Sequence, residues 1–151
     1  MDTYKISLKT ALLILMGFII QGLHAQQNPD PQILVGTWTF SDAPSIAKMP
    51  PDIQLDLTTS SDLQSHVANF YTGRQLLFEA NGTFSIVLIT GQRFDGQWSL
   101  QGSTLTIVGN DGSVTSHQVG AVDSTTLLLL AEVGSNPDSR PLFPELYYLK
   151  N

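Results

Sequence analysis

Gln75-Leu76-Leu77-Phe78-Glu79-Ala80-Asn81-Gly82-Thr83-Phe84-Ser85-Ile86-Val87-Leu88-Ile89-Thr90 reads as two strands folded back about Asn81-Gly82. Leu76 and Phe78 share one face of the first strand; Phe84, Ile86 and Leu88 share one face of the second. Asn-Gly fits a type I′ turn, whose two central residues both need positive φ. The pattern repeats downstream. Gly91-Gln92 turns into 93–100, Gln101-Gly102 into 103–108, Asn110-Asp111-Gly112 into 113–122, and Asp123-Ser124 into 125–133. A Gly/Ser/Asn/Pro loop at 134–141 precedes a last strand at 142–150. Upstream, 33–40 reads as the first strand, with Trp38 and Phe40 on one face. Eight short strands at regular spacing favour a barrel or sandwich over an open sheet, and with Gly36-Thr37-Trp38 at the first strand the expectation is a mainly-β chain, an antiparallel up-and-down eight-stranded barrel.

The alternation assigns further inward positions: Phe94 with Trp98, and Leu105 with Ile107. Leu127 to Leu130 is apolar on both faces and needs an outer cover, from a helix or a partner. Between the first two strands, 41–51 reads as a loop ended by Pro50-Pro51. Residues 52–58 fit a strand by alternation of Ile53, Leu55 and Leu57, and a helix by Pro51 and the Ile53/Leu57 spacing. A helix is clearer at 61–72, with Ser60 or Ser61 as cap, Leu63, Val67, Phe70 and Tyr71 at helical spacing, and Gly73 to end it. One or two short helices are expected here.

Residues 1–25 read as a secretory signal peptide. Lys5 and Lys9 supply the charged start, Ala11 to Ile20 the apolar core, and Ala25 the small residue before cleavage. The apolar run is short of the roughly 20 residues that span a bilayer. The expectation is a secreted chain, periplasmic or extracellular, without stable membrane insertion once mature. Residues 26–31 (QQNPDP) read as a disordered tether, and 32–151 as one barrel domain. The chain contains no Cys, which excludes disulfides, thiol chemistry and lipid attachment through Cys. Lys+Arg number 7 against 13 Asp+Glu; without residues 1–25 the balance is 5 against 12, a net charge of −7. An acidic chain with no basic cluster is repelled by phosphate backbones, so nucleic acid is not an expected partner.

Gly36-Thr37-Trp38, a helix, then Tyr71 to Phe84, Gly96-Gln97-Trp98-Ser99-Leu100, Leu105-Thr106-Ile107 and a closing Leu146-Tyr147-Tyr148-Leu149 together resemble the bacterial lipocalin-like domains of secreted envelope proteins. The resemblance covers most of the chain after residue 25. It implies a lipocalin-like barrel in which Gly36 and Trp38 stand at the Gly-x-Trp positions, with the Trp closing the bottom. It also implies a cation on Trp38, from Arg140 or Lys150. The Thr-Asp-Tyr motif of lipocalins is absent, and the chain is read as ending with its last strand. Gly36-Thr37-Trp38 also looks like the start of avidin-type barrels, but those stack several Trp on their ligand and only Trp38 and Trp98 are present.

Catalysis needs a nucleophile beside a base, or paired carboxylates, in a pocket. After residue 25 there are two His, His66 on a helix and His117 in a strand, and both read as surface residues. No Gly-x-Ser-x-Gly, His-x-Glu or His-x₃-His spacing occurs. No catalytic residue, metal ligand or cofactor is therefore assigned, and the chain is not expected to be an enzyme. Asn110-Asp111-Gly112 and Asn81-Gly82-Thr83 read as turns rather than as a calcium loop or a glycosylated sequon. Asp123-Ser124-Thr125 resembles an O-glycosylation site of some envelope bacteria and reads equally as a turn.

An eight-stranded barrel is just wide enough either to be filled by side chains or to hold one small ligand. Trp38, Phe84, Ile86, Leu88, Trp98 and Tyr147 are the candidate ligand-binding residues if it is hollow, and core filler if it is not. Arg74 and Arg93 stand near strand starts, at candidate barrel mouths, where a guanidinium meets a carboxylate bidentately or is solvated. The expected partner is a small hydrophobic or amphipathic molecule, with 41–60 as a lid. The alternative is an envelope protein docked on a filled, structural barrel.

Overall fold

The structure is a computed structural model and describes residues 28–131 and 140–151. The signal peptide expected over 1–25, strand residues 132–133 and loop residues 134–139 lie outside the described residues. Eight strands close into an antiparallel barrel in sequence order, each pairing with its chain neighbours and the last with the first. They are β1 (Gly36–Phe40), β2 (Gln75–Phe78), β3 (Thr83–Val87), β4 (Arg93–Gln101), β5 (Thr104–Gly109), β6 (Val114–Val122), β7 (Thr126–Ala131) and β8 (Glu145–Lys150). The barrel abolishes the free sheet edge that would otherwise invite pairing with another chain.

Strand β1 is shorter than the alternation suggests. Residues Pro31–Leu34 form a helical turn, α1, because the Asp30 side chain accepts from the Gln32 amide at 2.9 Å and Pro31 presets the first helical φ. The tether expected over 26–31 thus overlaps an ordered turn at Asp30 and Pro31.

Three helices, not one or two, separate β1 from β2: α2 (Asp42–Ala47), α3 (Pro51–Thr59) and α4 (Ser61–Phe70). Residues 41–51 are therefore not a plain loop, and 52–58 is helical rather than extended. Helix α2 is held by Ser45, which is fully buried; its hydroxyl donates to Ser41 O at 2.8 Å and accepts from the Tyr147 amide of β8 at 3.0 Å. That anchoring makes α2 a fixed bracket rather than a lid. In α4 the Ser60 hydroxyl accepts from the Leu63 amide at 3.2 Å, and Val67 is the buried residue of its inner face.

Three of the hairpin turns share one design, and at Asn81-Gly82 it differs from the expected type I′. Gly82 N bonds Glu79 O, Gly91 N bonds Leu88 O and Gly112 N bonds Gly109 O, at 2.9–3.0 Å. In each, only the glycine takes positive φ (88°, 84° and 86°), and no non-glycine residue does. These are three-residue connections: an ordinary type I turn followed by a left-handed glycine. Asn81 serves through its side chain instead, accepting from the Thr83 amide at 2.9 Å.

The two-sided apolar strand β7 is covered by its neighbour. β6 carries a bulge between Val119 and Ala121, and Gly120 stands there without a side chain. A Cβ on Gly120 would lie 3.1 Å from Leu128 and 3.2 Å from Leu130, so these leucines fold down onto the bare backbone. The 61–72 helix does not lie on that face; α4 sits at the barrel mouth beside Arg74.

Candidate functional site

The end of the barrel where β1 begins is solid. Leu34, Trp38, Leu105 and Leu127 are 0% exposed. Trp38 Nε1 donates to Leu34 O at 2.7 Å, which satisfies a carbonyl left over at the end of α1. Lys150 supplies the cation on Trp38: its Nζ lies 4.8 Å from the ring centroid and donates to Ile33 O at 3.1 Å. Arg140 lies elsewhere, paired with Asp52 at 2.7 Å. Phe78 fills the space beside Gly36, with Phe84 at 5.0 Å and Trp98 edge-on at 5.4 Å between centroids.

The opposite end is hollow. A cavity of about 250 Å³ lies inside the barrel, walled by Leu76, Phe84, Ile86, Ile107, Leu129 and Leu146. A second hollow of about 370 Å³ shares Phe84, Ile86 and Ile107 with it and opens past Phe94 and the β5–β6 turn. Phe70 and Phe94, 45% and 47% exposed, line a rim hollow beside this mouth with Leu88 and Arg74. A larger depression of about 610 Å³ lies on the outer side of β6, against Asn28 and Pro29, and does not share these walls.

One charge enters the cavity wall. Arg74 precedes β2, fixed by its amide on Tyr71 O at 2.9 Å and by its carbonyl accepting from the Phe40 amide at 2.8 Å. Its guanidinium carbon lies 4.6 Å from the Tyr71 ring, 5.5 Å from Phe40 and 5.6 Å from Tyr148. Nη2 donates to the Tyr148 hydroxyl, while the buried Nε has no hydrogen-bond partner among the described residues. Among the described residues the ion pairs are Arg93–Asp95 and Arg140–Asp52, so Arg74 has no carboxylate. Burial pushes the Tyr148 phenol above the ordinary tyrosine range, with the Arg74 charge pulling the other way, and the group is a neutral O–H at working pH. Phe143 closes the far side of the cluster, 4.6 Å from Tyr71 and 5.3 Å from Phe40.

Of the sequence-predicted site residues, Phe84 and Ile86 line the cavity. Leu88 lies at the rim with His66, Phe70 and Arg74. Trp38 belongs to the solid end. Trp98 packs on Phe78 and donates to Glu79 O at 3.0 Å, away from the cavity walls. Tyr147 points out of the barrel, its hydroxyl donating to Glu145 at 2.6 Å; Tyr148 is the inward tyrosine, paired with Phe40 and Leu127. The correction is one of strand parity. His117, expected on the surface, also faces in: it pairs with the buried Leu105 and lines the cavity. His66 is exposed, packed 4.9 Å from Phe70.

Arg93 is not at the cavity. On the outer side of β3 and β4 its Nε donates to Asp95 at 2.7 Å and its Nη2 to the Ser85 hydroxyl at 2.7 Å. Ser85 donates to the same carboxylate at 2.6 Å, and this bond with the Arg93 contact holds Asp95 below the usual carboxylate range. The trio ties β3 to β4 across the Ser85–Asp95 pair.

No protein-family model matches the chain, and no curated protein matches it. Among solved structures, it is similar to a DUF4847 family protein from Bacteroides vulgatus at 18% identity, over 77% of this chain and 92% of that one, with a TM-score of 0.45. It is also similar to a lipocalin-like protein from Bacteroides uniformis at 18% identity, over 52% of this chain and 77% of that one, with a TM-score of 0.39. At these values neither neighbour bears on ligand or activity, and the closed eight-stranded antiparallel barrel rests on the strand pairing itself.

Proposed function

We propose that this barrel is a non-enzymatic carrier or sensor that holds a small apolar or amphipathic molecule in its open half. The observation that carries this reading is the apolar cavity of about 250 Å³ between Ile86, Ile107, Leu129 and Leu146, set above the buried cluster of Leu34, Trp38, Leu105 and Leu127. Empty apolar space in a folded interior costs stability, since its walls lose packing partners. A cavity that opens to solvent past exposed Phe70 and Phe94 has a use that a sealed void lacks. Its size falls just below the usual range of ligand sites, which run from about 300 Å³ upward, so the ligand is small.

The sequence of residues 1–25 supports secretion, and with it a periplasmic or extracellular carrier; the mass of the chain recovered from the host envelope tests the cut after Ala25. Among the described residues no helix is long and apolar enough to cross a membrane.

The test of binding is calorimetric titration with 1-octanol, on the wild type and on Ile107→Phe. Saturable binding in the wild type that disappears when the cavity is filled supports the reading. Absence of binding in the wild type, or equal binding by Ile107→Phe, rules it out.

A further inference from the structure

We propose that Arg74 and Tyr148 form the headgroup site of this cavity, and that the ligand class is a small monocarboxylate with an apolar tail. This rests on the apolar cavity proposed above and adds the chemistry of its polar end. Arg74 borders both the inner cavity and the rim hollow, so it lies where a ligand passing the mouth ends its path. Its guanidinium is stacked on Tyr71, which fixes its plane, and one nitrogen is committed to the Tyr148 hydroxyl. The Nε proton is shielded from water and has no acceptor among the described residues. A buried donor without an acceptor is costly unless something supplies one. Tyr148 accepts from Arg74 and still has its own proton to donate.

A carboxylate matches this pair: it accepts from the guanidinium through two oxygens and from the phenol O–H. Arg74 is the one Lys or Arg among the described residues lining the cavity, which argues for a monoanion rather than a phosphate, as does a chain whose overall charge is −6. The apolar walls Ile86, Ile107, Leu129 and Leu146 then take the tail.

The experiment compares three probes of equal chain length, octanoate, 1-octanol and octylammonium, by calorimetry on the wild type, Arg74→Met and Tyr148→Phe at neutral pH. Octanoate is expected to bind the wild type about tenfold or more tightly than octanol, as a charge-assisted pair supplies. Octylammonium is expected to bind more weakly than octanol. Arg74→Met brings octanoate down to the octanol value. Tyr148→Phe, which keeps the buried ring, lowers the octanoate preference by a smaller factor. Equal affinity for octanoate and octanol in the wild type overturns the headgroup assignment and leaves the apolar cavity standing. Octanoate preference that survives Arg74→Met places the headgroup elsewhere and also overturns it. Failure of all three probes overturns the cavity reading itself.

Discussion

Leu105 and Ile107 lie two residues apart on β5 and face the same interior, yet they inhabit different halves of the molecule. Leu105 is fully enclosed in the solid end, among Leu34, Trp38 and Leu127. Ile107 has a cavity on one side. The same eight strands build both ends, so the difference comes from what closes them. At one end a helical turn delivers Leu34, Trp38 satisfies its carbonyl, and Lys150 lies on the indole. At the other, three helices and Phe143 close one side with aromatic rings and leave the β3–β6 side open. A barrel of one diameter is thus partly core and partly container.

The comparison breaks most visibly at Trp38. Trp38→Ala removes the largest buried side chain, orphans the Leu34 carbonyl and leaves Lys150 without its ring. The expected loss is about 3–5 kcal/mol, read from urea unfolding. A loss below the ordinary range for a buried aromatic would mean that the closed end is not the stability core.

One substitution made in both halves sharpens it further. Leu105→Phe overpacks a filled site and is expected to cost about 1–3 kcal/mol. Ile107→Phe places the added ring in the cavity and is expected to cost less than about 1 kcal/mol, while abolishing octanol binding. Equal costs at the two positions would show that the open half is as tightly packed as the closed one.

Acid gives the smallest effect and acts outside both halves. Asp123 accepts from the Thr125 and Thr126 amides and the Thr125 hydroxyl, at 2.7–2.8 Å, which lowers its pKa. A depressed folded pKa contributes stability that is fully present above the unfolded value of about 3.9 and is lost as pH falls through the folded value. Asp123→Asn is therefore expected to flatten the acid limb of the stability profile slightly. The limb is read by thermal melts from neutral pH to about pH 2, across that value. A variant whose acid limb is unchanged would show the turn bonds to be energetically idle.

The barrel was legible because a period-2 pattern recurs between glycine turns, and a misread turn type does not alter the pairing. The inward sets at Leu76/Phe78, Phe84/Ile86/Leu88 and Leu105/Ile107 follow from that pattern alone. Parity failed where both faces of a strand look alike. In Leu146-Tyr147-Tyr148-Leu149 each face carries one Leu and one Tyr, so alternation does not decide. The deciding signal was available at Lys150: a cation lying on the inward Trp38 puts Tyr148 inside and Tyr147 outside. His117 was missed for a related reason, since its neighbours Ser116 and Gln118 are polar and only its pairing with Leu105 brings it in. Helix α2 was not legible at all, because Ser41 makes no capping bond and the helix is held by the contact between Ser45 and β8. Such a tertiary contact leaves no mark on local propensity. Arg74 was readable as a mouth residue, but its aromatic setting and its tyrosine partner required the fold.

The most direct test of a container above a core is a methyl NMR titration with 1-octanol. Shifts confined to the methyls of Ile86, Ile107, Leu129 and Leu146, with Leu34, Leu105 and Leu127 unmoved, are the predicted result. Shifts spread evenly over both sets, or absent from the first while octanol binds, would contradict it.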